Sequence, residues 1–74
     1  MMEKQYIAQE QTYVNHDGET TFTVFHPAIK FNDDEEYCYF PDEETKTGLV
    51  EHNNKKDALE NAEQLYKHYV LGEQ

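Results

Sequence analysis

Four histidines and one cysteine are the nitrogen and sulfur donors of this sequence that are suited to binding zinc. They are His16, His26, Cys38, His52 and His68. Protein zinc sites combine His and Cys ligands at short, recurring spacings, and none of these residues is paired with another at such a spacing. We therefore expect no bound metal and no cofactor. Each histidine is expected at an ordinary position in a turn, a strand or a helix.

Nucleophilic catalysis has few candidates in this chain. The sequence contains no Ser at all, so a Ser nucleophile is excluded, and Cys38 is the single thiol. Cys38 falls within a predicted strand, where a buried thiol behaves as a small hydrophobic group and not as a nucleophile. We therefore predict that the protein is not an enzyme and that it has no catalytic residues.

Acidic side chains are concentrated between residues 33 and 44, where seven carboxylates occur without a single Lys. Tyr37, Tyr39 and Phe40 lie between them. Aromatic residues framed by carboxylates are typical of a surface that binds a basic protein, because rings act as anchors and charges steer association. Solubility alone is the alternative explanation. The residues predicted to contact a partner are Asp33, Asp34, Glu35, Glu36, Tyr37, Tyr39, Asp42, Glu43 and Glu44.

The charge of the whole chain points to the same class of partner. Sixteen Asp and Glu against six Lys and no Arg give a net charge of −10. Nucleic acids and anionic membranes are bound through cationic donors, so direct binding to either is not expected. The polar amino terminus lacks the apolar stretch of a signal peptide, and one cysteine cannot form an internal disulfide. We therefore expect a cytoplasmic protein.

The elements that must position these residues begin with the clearest one, at the carboxyl end. Apolar residues recur there at spacings of three and four, which predicts an amphipathic helix over about residues 54 to 71. Asn53 or Asn54 is suited to cap its start, and Gly72 to end it. The predicted apolar stripe comprises Ala58, Leu59, Ala62, Leu65, Tyr66, Tyr69 and Val70.

A β-hairpin is predicted in the first third of the chain. Its first strand runs from Tyr6 to Val14, and turn chemistry follows at residues 15 to 18. The second strand runs from Glu19 to about His26 and is rich in β-branched and aromatic residues. Pro27 lacks a backbone N–H, which favours a sheet edge or the end of a strand at this position.

Further strands are predicted after the hairpin. Alternation over residues 37 to 40 places Tyr37 and Tyr39 on one face and Cys38 and Phe40 on the other. Leu49 and Val50 are candidates for a short fourth strand. With no second helix to form crossovers, the strands are most simply joined as an antiparallel meander. At 74 residues, the chain is expected to form one small α+β domain: an antiparallel sheet of three to four strands packed by one C-terminal helix.

Several segments together resemble the N-terminal domain of HicB-like antitoxins. They are Phe22-Thr23-Val24-Phe25, then Glu36-Tyr37-Cys38-Tyr39-Phe40-Pro41-Asp42, Gly48, and Asp57-Ala58-Leu59-Glu60-Asn61-Ala62. The resemblance covers about residues 20 to 70. It implies a strand-strand-strand-helix order, a partial double-stranded-RNA-binding-domain-like fold, and a domain that masks a small basic ribonuclease toxin without binding RNA. Because the chain ends soon after the helix, we do not expect the family's additional DNA-binding module.

Three functions remain open from the sequence. The first is an acidic, antitoxin-like inhibitor that masks a basic nuclease or nucleic-acid-binding protein. The second is a nucleic-acid mimic of the kind used by phages and mobile elements, in which carboxylates replace phosphates. The third is a small self-associating structural protein, a homodimer for example, that uses a strand edge or Tyr66 and Tyr69.

Overall fold

The fold is α+β, with a three-stranded antiparallel sheet packed by one C-terminal helix. The computed structural model describes residues 5–32 and 36–72. Strands β1 (Tyr6–Val14), β2 (Thr21–Ile29) and β3 (Cys38–Tyr39) precede the helix α1 (Lys55–Tyr69). Sequence order is also spatial order, β1-β2-β3. The predicted fold class is therefore confirmed.

The hairpin turn between β1 and β2 is held by the carboxylate of Asp17. The backbone N–H groups of Glu19 and Thr20 donate to its Oδ1 at 2.8 and 2.9 Å, and the Thr20 hydroxyl donates to its Oδ2 at 2.8 Å. Gly18 has a φ of +74°, which is the left-handed region that glycine adopts at no steric cost. Turn residues thus fix the hairpin register, which runs unbroken from Tyr6 opposite Ile29 to Val14 opposite Thr21.

The predicted end of the second strand at Pro27 is wrong. Strand β2 continues through Pro27 to Ile29 and is the central strand of the sheet. The N–H of Lys30 donates to the carbonyl of Gln5, so even-numbered residues of β2 point their backbone groups toward β1. The nitrogen of Pro27 therefore points away from β1, and the missing N–H removes nothing from the β1–β2 ladder.

The two faces of the sheet are covered by different parts of the chain. Helix α1 packs on the helix face, where the ring of Tyr66 lies 5.6 Å from that of Tyr6. By strand alternation, Pro27 and Ile29 lie on this face, and both are fully buried. The opposite face, called the loop face, includes Val24, His26 and Ala28. Segment 41–51 covers the loop face, because the Val50 carbonyl lies 2.9 Å from Nδ1 of His26.

Later strands are shorter than the sequence suggests. Only Cys38 and Tyr39 form β3, where residues 37 to 40 were expected. Leu49 forms a single antiparallel bridge with Pro41, and His52 forms another with Phe25, so the part of the chain that is described has no fourth strand. Segment 41–51 turns over the loop face instead of extending the sheet.

The helix matches its prediction closely. It spans Lys55–Tyr69, and Oδ1 of the N-cap residue Asn54 accepts a hydrogen bond from the N–H of Asp57 at 2.9 Å. Ala58 and Ala62 of the predicted stripe are completely buried against the sheet. Tyr69 is not, since 53% of it is exposed. The stripe is therefore buried at its small residues and exposed to solvent at Tyr69 in the last turn.

Cys38 was expected to be buried, and this expectation is wrong. It is exposed in the structure. Helix α1 packs on β1 and β2, and its backbone does not approach that of β3. Cys38 pairs with Ile29 on the side of β2 that faces away from β1, and the two-residue strand β3 is too short to bury it.

Enlarging Ala62 should test how tightly the helix packs on the sheet. Ala62→Leu adds volume at a completely buried contact, which should lower the free energy of unfolding by about 1–3 kcal/mol. Gln64→Leu, on the exposed side of the same helix, is the matched control. Urea unfolding followed by circular dichroism measures both variants. Equal midpoints for the two would contradict close packing at Ala62.

The Asp17 turn should stabilise the fold less at acidic pH than at neutral pH. Hydrogen bonds from the Thr20 and Glu19 backbone N–H groups, and then from the Thr20 hydroxyl, hold the pKa of Asp17 below its ordinary 3.8. Because the folded pKa is depressed, the stabilisation is present above pH 3.8 and is lost as pH falls through the folded pKa. Carboxyl NMR titration should show Asp17 protonating below 3.8 in the folded protein and near 3.8 in urea. Coinciding titrations would refute the turn's role.

Candidate functional site

The predicted partner-binding segment lies on the side of the sheet where β3 pairs with β2. Asp33, Asp34 and Glu35 lie outside the described residues. Tyr39 pairs with Ala28 in the β2–β3 ladder, which places its side chain on the loop face, away from the helix. The predicted alternation is thereby confirmed, since Phe40 stacks instead on Tyr69 of the helix, with ring centroids 5.6 Å apart.

The two predicted anchor tyrosines differ in their accessibility. Tyr39 is 40% exposed, and its ring lies nearly perpendicular to that of His26, with the centroids 6.1 Å apart. Tyr37 is half-buried, and the ammonium of Lys30 lies 4.8 Å from the centre of its ring. A cation over a tyrosine ring is attracted by the negative face of the ring. Tyr39 is therefore the more accessible aromatic surface, while Tyr37 already has an intramolecular cation as its partner.

The carboxylates of the segment have different roles in the structure. Glu36, Glu43 and Glu44 are exposed. Asp42 is half-buried and builds a turn, because its Oδ1 accepts a hydrogen bond from the Glu44 N–H at 3.0 Å. Its own N–H donates to the Gly48 carbonyl at 2.9 Å. Asp42 therefore shapes the loop, while Glu43 and Glu44 project from it as charges available for steering.

His26 is the polar centre that joins segment 41–51 to the sheet. It is 2% exposed, with Nδ1 lying 2.9 Å from the Val50 carbonyl and Nε2 2.7 Å from the Tyr13 hydroxyl. Since a carbonyl only accepts, Nδ1 must carry the proton that bonds to Val50. In the neutral ring Nε2 then accepts from the Tyr13 hydroxyl. Both ring nitrogens have hydrogen-bond partners, so His26 is a structural residue. Its ring also contacts that of Tyr39.

A shallow cleft of 370 Å³ opens beside the hairpin turn, on the same face. The stacked rings of Tyr13 and Phe22, 5.4 Å apart, line it. The ammonium of Lys46 lies 5.1 Å from the centre of the Phe22 ring. The cleft is thus separate from Tyr39, although Lys46 follows Glu44 by only two residues.

Sequence reasoning missed Lys30 and Lys46, each of which covers an aromatic ring. The β2–β3 register pairs Ala28 with Tyr39, so the same antiparallel offset sets residue 30 opposite residue 37. Knowledge of that register would have revealed the Lys30 contact. Lys46 reaches Phe22 across a loop that has no periodic pattern, and no sequence signal identifies this contact.

No group of three or more His, Cys, Asp or Glu side chains within residues 5–32 and 36–72 is arranged to hold a metal ion. The described portion also contains no helix of the length and apolarity needed to cross a membrane.

Comparison with known proteins finds no match among family models, curated proteins or solved structures. The resemblance to HicB-like antitoxins therefore stays a prediction.

Removing the Tyr13 hydroxyl should reveal the importance of the buried histidine. Tyr13→Phe leaves Nε2 of His26 without its partner, which should cost about 1–3 kcal/mol of folding free energy. Tyr39→Phe, at a tyrosine 40% exposed, is the control and should cost much less. Thermal and urea unfolding measure both variants. Equal stability of the two would show that the Tyr13–His26 bond contributes little.

The same residue should also govern alkaline stability. Burial, then the charge of Glu51 and the Tyr39 side chain, raise the pKa of Tyr13 above 10.0. Its stabilising contribution is fully present below pH 10.0 and is lost as pH rises through the raised folded pKa. Wild type should therefore lose stability more steeply above pH 10.0 than Tyr13→Phe does, which the same unfolding measurements would show.

Proposed function

We propose that this protein is a small acidic binding module that masks a basic protein, either a nuclease or another nucleic-acid-binding protein, in the manner of an antitoxin. The observation that carries the proposal is the exposed Tyr39 ring within an acidic segment that contains no Lys. Basic nucleic-acid-binding surfaces carry the Lys and Arg side chains that such a segment would attract. The binding itself requires no metal, cofactor or catalytic group.

Charge and aromatic surface have separable roles in this proposal. Glu43 and Glu44 are exposed and take no part in the Asp42 turn through their side chains. They would therefore act at long range and raise the rate of encounter, an effect that salt weakens. Tyr39 would act at contact range, where an anchored ring controls the rate of dissociation.

Kinetic measurements on matched variants test the proposal once a partner has been captured from a host lysate. Glu43→Gln together with Glu44→Gln should slow association about tenfold at low salt and flatten its salt dependence. The control is Glu19→Gln with Glu60→Gln, which makes the same charge change at exposed positions elsewhere. Equal slowing by the two pairs would show that net charge, and not this segment, steers binding.

Tyr39→Ala should chiefly speed dissociation, by about tenfold, which corresponds to a loss of roughly 1.4 kcal/mol. Tyr39→Phe retains the ring and should dissociate nearly as wild type does. Surface plasmon resonance gives both rate constants, and thermal unfolding establishes that the variants remain folded. Unchanged dissociation of a folded Tyr39→Ala variant would place the interface elsewhere.

A further inference from the structure

Among the residues that the structure describes, no strand lies beside the outer edge of β1. Strand β1 is the end strand in the order β1-β2-β3, and its nine residues pair with β2 in one continuous register. The Gln5 carbonyl accepts from Lys30, and the Asn15 N–H donates to Thr20. Odd-numbered residues therefore face β2, and the backbone groups of Ala8, Glu10, Thr12 and Val14 face outward.

A side-chain contact supports this orientation. The Gln9 side-chain amide donates to the Glu10 carbonyl at 3.1 Å, at an exposed position, so this outward carbonyl is within reach of a donor that does not belong to β2. Within residues 5–32 and 36–72, the sheet places no strand along this side of β1. The edge therefore presents alternating donors and acceptors in the geometry that another strand would use.

This edge lacks the features that usually block strand addition. Natural sheets protect their edges with Lys, Pro, bulges or very short strands. The segment Tyr6–Val14 contains neither Lys nor Pro, and its unbroken register leaves no place for a bulge. Glu10 is its one charged residue. By contrast, the outer side of β2 is occupied by β3 and by the Phe25–His52 bridge.

Charge determines which kind of strand fits. Residues 5 to 29 contain three carboxylates and no Lys. Glu63 adds another carboxylate on the helix face, since its Oε2 lies 3.5 Å from the Tyr6 hydroxyl, although Lys67 is 3.0 Å from its other oxygen. A second copy would bring another net charge of −10, and in the fully overlapping antiparallel register Glu10 would face its own copy. A basic strand would meet complementary charge instead.

We propose that the open edge of β1 binds an extended basic segment of the partner as an added β-strand. The outward backbone groups of Ala8, Glu10, Thr12 and Val14 supply the hydrogen bonds, as in other cases of strand addition. A Lys or Arg of the bound segment lies beside Glu10. This inference rests on the proposed function in one respect, the basic character of the partner, while the edge itself is a second contact surface, distinct from Tyr39.

Amide hydrogen exchange on the wild-type protein provides the direct test. The probe is a capped peptide of alternating Lys and Val, about as long as β1. Bound as a strand, it should slow exchange of the outward amides of Ala8, Glu10, Thr12 and Val14 by about tenfold or more. The inward amides of Gln9, Gln11 and Tyr13, which already face β2, should change little. A peptide of the same sequence with every backbone amide N-methylated carries the same charge but offers β1 no donor in either register, and should not protect the edge.

Paired variants at one position isolate the outward N–H group. Thr12→Pro removes this donor without removing any bond to β2, whereas Thr12→Val retains it. Both lose the Thr12–Thr23 hydroxyl contact of 2.9 Å, so that loss cancels in the comparison. Thr12→Pro should bind the Lys-Val peptide about fivefold to tenfold more weakly than Thr12→Val, the effect of one hydrogen bond. If Thr12→Pro does not fold, the exchange pattern on wild type decides.

The outcomes separate this inference from the proposed function. Alternating protection by the Lys-Val peptide alone supports the edge site. Equal binding of the two peptides without protection at β1 overturns the edge site, yet leaves a charge-steered acidic module standing. Protection of the same outward amides in the free protein as its concentration rises, with a dimer in sedimentation, makes a second copy the occupant and overturns the basic segment. Failure of both peptides to bind also overturns it, whereas the lysate capture tests the proposed function independently.

Discussion

The carboxyl half of strand β2 is buried on both of its faces, and the described residues contain one helix to cover them. His26, Pro27, Ala28 and Ile29 form a continuous buried run, which is typical of a strand between two layers. Helix α1 supplies one layer. The other is segment 41–51, an irregular loop held by the Val50 carbonyl at Nδ1 of His26 and, just after its end, by the Phe25–His52 bridge. The position of the acidic carboxylates on this loop therefore depends in part on a histidine in the centre of the sheet.

Burial of a polar ring is favourable here only because both nitrogens are satisfied. An unpaired buried acceptor costs more than a neutral hydrogen bond contributes, so the Tyr13 hydroxyl and the Val50 carbonyl act together. Tyr13 belongs to β1 and Val50 to the loop. The histidine thus connects three segments that are far apart in sequence, and its ring also contacts that of Tyr39 in β3.

Local and periodic sequence signals predicted much of this fold, whereas features that depend on long-range packing were not predicted. The first strand, the Asp17–Gly18 turn and the Asn54 cap follow from alternation and from side chains that bond to nearby backbone, so the sequence displays them directly. The strand end predicted at Pro27 was wrong because the effect of a proline depends on which side of the strand its nitrogen faces. That side is set by register and not by residue type. The burial predicted for Cys38 was wrong because it depended on which strands the helix covers. In the candidate site, alternation separated Tyr39 from Phe40 correctly, but no pattern indicated that Asp42 would build a turn while Glu43 remained exposed.

The lysines next to the acidic segment explain why its tyrosines are not equivalent. Lys30 and Lys46 are the nearest cations on either side in sequence, and each places its ammonium over a ring, Tyr37 or Phe22. An exposed ion pair and an exposed cation–π contact are of similar strength, about 1 kcal/mol or less, so burial of ring surface beneath the lysine stem can decide between them. This arrangement leaves Glu43 and Glu44 exposed to solvent and to any cation that approaches. A basic partner would have to displace Lys30 to reach Tyr37. Within the part of the chain that the structure describes, no cation lies over Tyr39, and this difference is the physical reason to propose Tyr39 as the anchor.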